Sequence, residues 1–229
     1  MLRGELERKL GYRKMKKQTI VLASGSPRRR ELLEMVGIEF EVMVSNQEES
    51  YTSTRPKEIV KELALKKARH IVYQVLESMP QEKEVLIIGA DTIVVVDDQV
   101  LEKPGDEAEA FEMIKKLQNN VHQVYTGVAL LKTSHVFSEL NGMNIEEEDQ
   151  GTGEWFQRVN FVATTKVFVN PMTEDEIWKY IKSGESLDKA GGYGIQGGFA
   201  KFIEKIDGDF YNVMGLPVAR LYREIKKML

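Results

Sequence analysis

Cysteine is absent from this chain of 229 residues. That excludes disulfides, a thiolate nucleophile and any zinc site built on sulfur. Histidine is scarce: His70, His122 and His135 are scattered without metal-ligand spacing. Each reads as a surface or packing residue, and a Ser-His-Asp hydrolase is disfavoured. No apolar run approaches the ~20 residues that span a bilayer. Residues 1–17 are polar and basic and lack the apolar stretch of a secretory signal. The expectation is a cytosolic protein without membrane contact, with residues 1–18 as an N-terminal extension ahead of one domain over 19–229. An excess of one charge sign is missing too: the formal net charge is only -4. Nucleic-acid binding by global charge is therefore not expected, and an anion site would have to be built locally.

What is present alternates between strand and helix patterns. Strands are expected over 19–23 and 39–44, and helices over 27–36 and 56–76, the second with apolar residues at helical spacing. Residues 85–90 form a continuous apolar run, as in a buried central strand. Asp91 and Thr92 interrupt it, and the run resumes over 93–96. Asp97-Asp98 reads as a hairpin turn, and Asp106 with Glu109 as a capping-box-like start of a helix to about 118. Strands over 121–132 and 158–169 flank an acidic, Gly-containing insertion at 134–157. Thr173 and Glu176 open a further helix closed by Gly184. A hairpin is expected from 199–206 and 209–213, and Pro217 starts a last helix with Val218, Leu221, Tyr222 and Ile225 inward. The fold class is α/β: a mixed central sheet flanked by helices, as two lobes around a cleft.

Three features carry chemistry. The first is the turn Ala23-Ser24-Gly25-Ser26-Pro27 leading into Arg28, Arg29 and Arg30. Ser26 suits an N-cap and Pro27 the first helical position. Cations are unfavourable at a helix N-terminus, so an anion such as a phosphate chain is expected to offset them. The second is Asp91, a carboxylate at the interruption of a near-continuous buried strand, which is costly unless placed as a base or metal ligand. Lys103, in Glu102-Lys103-Pro104, falls on the neighbouring strand's end and could share its cleft wall. The third is a loop with five glycines between 191 and 198 that also carries Gln196. An amide both donates and accepts, which suits reading a base edge. Together these suit hydrolysis of a phosphoanhydride, with a divalent metal usually required. No Gly-x-x-x-x-Gly-Lys-[Ser/Thr] motif is present, which excludes an ordinary P-loop enzyme.

At these residues the chain resembles the Maf family of septum-formation-inhibitor-like nucleotide pyrophosphatases. The shared motifs, in order, are 23–29 (Ala-Ser-Gly-Ser-Pro-Arg-Arg), Gly89-Ala90-Asp91-Thr92, Glu102-Lys103-Pro104, Tyr125-Thr126-Gly127-Val128-Ala129, the 188–197 glycine loop and 208–217. The resemblance implies Asp91 as the acceptor of the proton from water. It implies that Arg28, Thr92 and Gln196 set substrate choice and that Ser24, Ser26 and Arg29 hold phosphate. Lys67 and Lys103 join the substrate-binding set, and Glu49 is the metal-side carboxylate. The Tyr-Gly-Ile-Gln form of the loop is similar to the branch acting on dTTP and UTP. The implied cofactor is Mg²⁺ or Mn²⁺, the implied assembly a homodimer, and the implied fold one shared with inosine-triphosphate pyrophosphatases. Gly192 departs from the alanine more usual in the loop. Two other readings stay open: a non-catalytic regulator of cell division that binds a nucleotide or a protein, and an enzyme acting on modified pyrimidine nucleotides.

Overall fold

The computed structural model describes residues 19–46, 49–78, 84–133 and 156–229. Residues 1–18 and most of the acidic insertion, 134–155, lie outside that set, as does His135. A seven-stranded sheet runs through the described part. The strands are β1 (Thr19–Leu22), β2 (Glu41–Val42), β3 (Val85–Val96), β4 (Gln99–Leu101), β5 (Val121–Thr133), β6 (Phe156–Val169) and β7 (Ile203–Asp207). The helices are α1 (Pro27–Met35), α2 (Pro56–Ser78), α3 (Glu107–Leu117), α4 (Glu174–Ile181), α5 (Phe210–Met214) and α6 (Val218–Met228). The order is β2-β1-β3-β5-β6-β7, with β4 paired to β3. β1 is parallel to β2 and β3, and the remaining pairs are antiparallel, so the sheet is mixed as expected.

Period-two alternation on β3 assigns its side chains to two cores. Leu86, Ile88, Ala90, Val94 and Val96 join the larger cluster, with α1, α3, α4 and α6. Val85 and Ile87 pack on α2 through Ala64, Ala68 and Ile71, and Ile93 and Val95 on α2 through Ile59, Val60 and Leu63. The backbone of α2 lies directly on the sheet. A Cβ at Gly89 would sit 2.3 Å from the Ala64 carbonyl oxygen, and one at Gly127 2.1 Å from that of Val60. Only glycine permits this approach.

Four expectations need correction. Asp91 and Thr92 do not interrupt the strand: β3 is continuous, pairing Asp91 with Gly127 and Thr92 with Thr126. The ladder uses only backbone groups, and a Lys67 ion pair meets the Asp91 charge, so no break is needed. The 39–44 segment contributes only the two residues of β2. The expected C-terminal hairpin is absent. Residues Gly198–Phe202 form a 3₁₀ turn that buries Phe199 and Phe202, and Asp209 Oδ1 accepts from Tyr211 N, winding the second half into α5. Tyr222 is 47% exposed rather than inward, whereas Val218, Leu221 and Ile225 are buried. The Thr173–Glu176 capping box is complete. At α3, Asp106 caps Glu109 N, but the Glu109 carboxylate turns to Gly105 N.

His122, on β5, is buried against Tyr193, and desolvation pushes its pKa down to about 4. Its folded pKa lies below the unfolded value of ~6.5, so this contribution to stability is whole above that pH and is lost as pH falls towards 4. The loss amounts to roughly 3 kcal/mol. Urea denaturation at pH 7 and pH 4.5 should register most of it. His122→Phe should reduce the difference by a similar amount, and an unaltered difference would refute the assignment.

Candidate active site

β1 pairs with β3 only along Val85 to Ile88, and β4 pairs with it only from Val94 to Val96. Between them the middle of β3, Gly89 to Ile93, has no strand neighbour on that side among the described residues. Into this gap opens a cavity of about 700 Å³, within the ~300–1,000 Å³ of small-molecule sites. It lies beyond the carboxyl end of β1, where the chain leaves the sheet for α1, as ligand crevices in open α/β sheets do.

Ten residues singled out by sequence line this one cavity: Ser24, Ser26, Arg28, Arg29, Glu49, Lys67, Asp91, Thr92, Lys103 and Gln196. Asp91 and Thr92 are neighbours on β3 and so face opposite sides of the sheet. Both reach the cavity because the gap leaves both sides open there. Asp91 is 6% exposed. Lys67, on α2, places Nζ 2.6 Å from Asp91 Oδ1 and 2.8 Å from Glu49 Oε1, so one ammonium bridges two carboxylates. Burial pushes the Asp91 carboxyl above the usual carboxylate range, against the opposing charges of Lys67 and Arg29. Burial also acts upward on Glu49, but Lys67, Lys103 and Arg29 hold it below its usual value.

The arginines find partners within the protein. Arg28 NH1 donates to Asp188 Oδ2 at 3.3 Å, across to the glycine loop. Arg29 is buried and donates through Nε to Gly215 O (2.9 Å), through NH1 to Ser24 Oγ (3.0 Å) and through NH2 to Thr92 Oγ1 (3.1 Å). Thr92 Oγ1 is 3.0 Å from Thr126 Oγ1, which donates to Asn212 O. Thr126 spends its hydrogen on that carbonyl, so Thr92 must donate to Thr126, and Arg29, Thr92, Thr126 and Asn212 form one directed chain. Arg29 thus ties the end of β1 and the end of α5 to the middle of β3. Ser24 Oγ accepts from Arg29 and from Ser26 N (3.3 Å), which leaves its own hydrogen for a ligand.

Ser26 sits at the N-cap of α1, but its side chain makes no capping bond. The first-turn N–H groups are therefore left for an anion, which strengthens the phosphate reading. Sequence reasoning missed Tyr51, whose hydroxyl donates to Glu102 Oε1 at 3.3 Å, and Asp188 as the partner of Arg28. Asp188 was within reach as part of the glycine motif. Tyr51 lies in a segment with no periodic pattern and carried no signal.

Asp91 and Glu49 are the candidate ligands for a divalent cation. Among the described residues no three His, Asp or Glu side chains surround a common point. Two carboxylates fit magnesium, which is held by one or two carboxylates together with substrate phosphates. The cavity lining supports this mode. Arg28, Arg29, Lys67, Lys103 and Lys189 are matched by Glu49, Asp91, Glu102, Glu185 and Asp188, so a polyphosphate meets a lining with no net charge of its own. Among the described residues no helix is long and apolar enough to cross a membrane.

The Maf-like protein family matches residues 19–228 of the chain. The chain is 46% identical over 208 residues to the dTTP/UTP pyrophosphatase of Lachnoclostridium phytofermentans, covering 91% of this chain and 94% of that protein. It is 42% identical to the dTTP/UTP pyrophosphatase of Thermoanaerobacter sp., covering 91% and 95%. To that of Agathobacter rectalis it is 44% identical, covering 91% and 97%. Among solved structures, the Staphylococcus aureus Ham1 protein overlaps 66% of this chain and 72% of its own at 12% identity. Its TM-score of 0.35 is too low to bear on the fold.

Proposed function

The chain belongs to the Maf family, and from that premise we propose that it hydrolyses dTTP and UTP to the monophosphate and pyrophosphate. The observation that carries this reading is the gap in the sheet. There a buried carboxylate, Asp91, is held by Lys67 against a cavity that also receives the first turn of α1 and Gln196.

In this reading water attacks the α-phosphorus and its proton passes to Asp91. The bond from that phosphorus to the bridging oxygen breaks, and pyrophosphate leaves. A carboxylate is an intrinsically weak base near neutrality, and the upward push of burial makes Asp91 a stronger one. The Lys67 charge opposes that push, and its ammonium fixes Oδ1. Arg28, the uncapped N–H groups of α1 and the Ser24 hydroxyl bind the phosphate chain. Arg28 exchanges the Asp188 carboxylate for phosphate when substrate enters, since both are anions for the same fork. Arg29, given as a phosphate holder by the resemblance, spends three of its five donors on protein, and in this reading it holds Ser24 and Thr92 in place instead. Gln196 meets the base. Mg²⁺ or Mn²⁺, when bound by Asp91, Glu49 and the phosphates, would screen and polarise the polyphosphate.

The test is a product assay on the pure protein with Mg²⁺ and a panel of nucleoside triphosphates in ¹⁸O-labelled water. UTP and dTTP should turn over fastest, yielding monophosphate and pyrophosphate in equal amounts, with the label in the monophosphate. Chelation of divalent cations should abolish turnover. Release of orthophosphate, or label in pyrophosphate, would overturn the reaction. No turnover with any nucleotide would favour the non-catalytic regulator instead.

A further inference from the structure

Behind the cavity, side chains from two other elements hold the loop that carries Gln196. Gly197 N donates to Gly194 O at 3.1 Å, closing a turn with Ile195 and Gln196 at its centre. The turn is pinned at both ends. Gly194 N donates to Tyr180 Oη at 3.0 Å, and Gly198 N donates to the Glu185 carboxylate at 3.0 and 3.2 Å. One residue ahead of the turn, Tyr193 Oη and His122 Nε2 stand 2.7 Å apart, both residues buried. Phe199 lies between the two tyrosine rings, 4.7 Å from Tyr193 and 5.2 Å from Tyr180 by centroid, and His122 meets Tyr193 edge-on.

Glycine loses more conformational freedom on ordering than any other residue. A base-reading amide carried on a run of glycines selects nothing unless its turn is fixed from outside. Packing alone does not explain the two phenols, because phenylalanine would fill the same volume without a buried hydroxyl to satisfy. Each hydroxyl instead meets a partner that bears on the loop.

We propose that His122, Tyr193 and Tyr180 are positioning residues for base selectivity, holding the Gly194–Gly197 turn so that Gln196 meets the pyrimidine at one fixed place. The proposal rests on the reading of Gln196 given above. The strong downward push of burial keeps His122 neutral at ordinary working pH, so the clamp is constant there rather than switched.

The experiment measures kcat and KM for UTP and GTP in Tyr193→Phe, Tyr180→Phe, His122→Leu and His122→Gln, with Gln196→Ala as reference. Gln196→Ala should collapse the UTP:GTP ratio of kcat/KM. Tyr193→Phe, Tyr180→Phe and His122→Leu should each lower it roughly five- to tenfold, mainly through KM for UTP. His122→Gln, which returns a polar nitrogen near the Nε2 position, should recover most of the loss. The Tyr193→Phe/His122→Leu double variant should do no worse than the poorer single, because both remove one contact. If Gln196→Ala collapses the ratio and the hydroxyl variants leave it untouched, the clamp is wrong and the base reading stands. If Gln196→Ala leaves the ratio unchanged, the base reading fails and takes the clamp with it. Should the variants not fold, amide exchange in the unaltered protein reads the same turn. Protection of Gly194 and Gly197 N–H by ~100-fold or more supports the clamp, and exchange at free-peptide rates overturns it.

Discussion

Asp91→Asn should lower turnover of UTP by roughly 10²- to 10⁴-fold, the range expected for loss of a positioned general base. The substitution keeps the shape of the side chain and removes its charge, its basicity and its carboxylate donor to a divalent cation, for which Glu49 and the phosphates remain. Nucleotide affinity should not fall. Lys67 now shares its ammonium between Asp91 at 2.6 Å and Glu49 at 2.8 Å. Without the Asp91 charge the cavity carries one more net positive charge towards a polyphosphate. Equilibrium binding of a non-hydrolysable UTP analogue, set beside single-turnover rates, separates the two effects. Turnover within tenfold of the unaltered protein would remove Asp91 from the role of base.

Gly127→Ala should destabilise the fold by about 3 kcal/mol or more, at or beyond the upper end for overpacking. A Cβ there would stand 2.1 Å from Val60 O and 2.4 Å from its carbonyl carbon, both main-chain atoms of α2 that cannot rotate away. For a chain of this size that corresponds to a melting temperature lower by roughly 6–12 °C. α2 would have to lift from the sheet, carrying Lys67 with it. A lysine side chain is long and can follow a small shift, so the loss should appear in stability before it appears in kcat. Gly25→Ala serves as control, since its Cβ would meet only Val44 side-chain carbons at ordinary contact distance, 3.6 and 3.7 Å. Calorimetry on both variants decides the matter, and equal melting temperatures would sink the close-approach account.

Much of the architecture was legible in the chain because apolar period and end signals are local. The apolar runs 85–90 and 93–96, the strand from Val121, the long helix from Pro56 and the capping box at Thr173 follow from spacing and short-range side chain-to-backbone bonds. Two of the misreadings share one cause. Asp91 reads locally as a strand break because an isolated carboxylate is costly inside a sheet, and the partner that offsets that cost, Lys67, is 24 residues away. Segment 209–213 follows the Asp207-Gly208 turn signal as the second arm of a hairpin would, yet Asp209 caps a short helix whose Asn212 is bonded to Val124 O and Thr165 Oγ1 on two strands.

The composition of the site was likewise written in the order of residues: a small-residue turn before arginines, an acid within an apolar run, an amide among glycines. All three meet in one cavity, which no local pattern could decide. That meeting depends on where β1 stops short and β4 begins, leaving the middle of β3 uncovered, and on how closely the backbone of α2 approaches Gly89 and Gly127. Local spacing settles which way a side chain points along its own element. Which charges end up beside it is set by the packing of elements distant in the chain, through contacts that no single stretch of sequence contains.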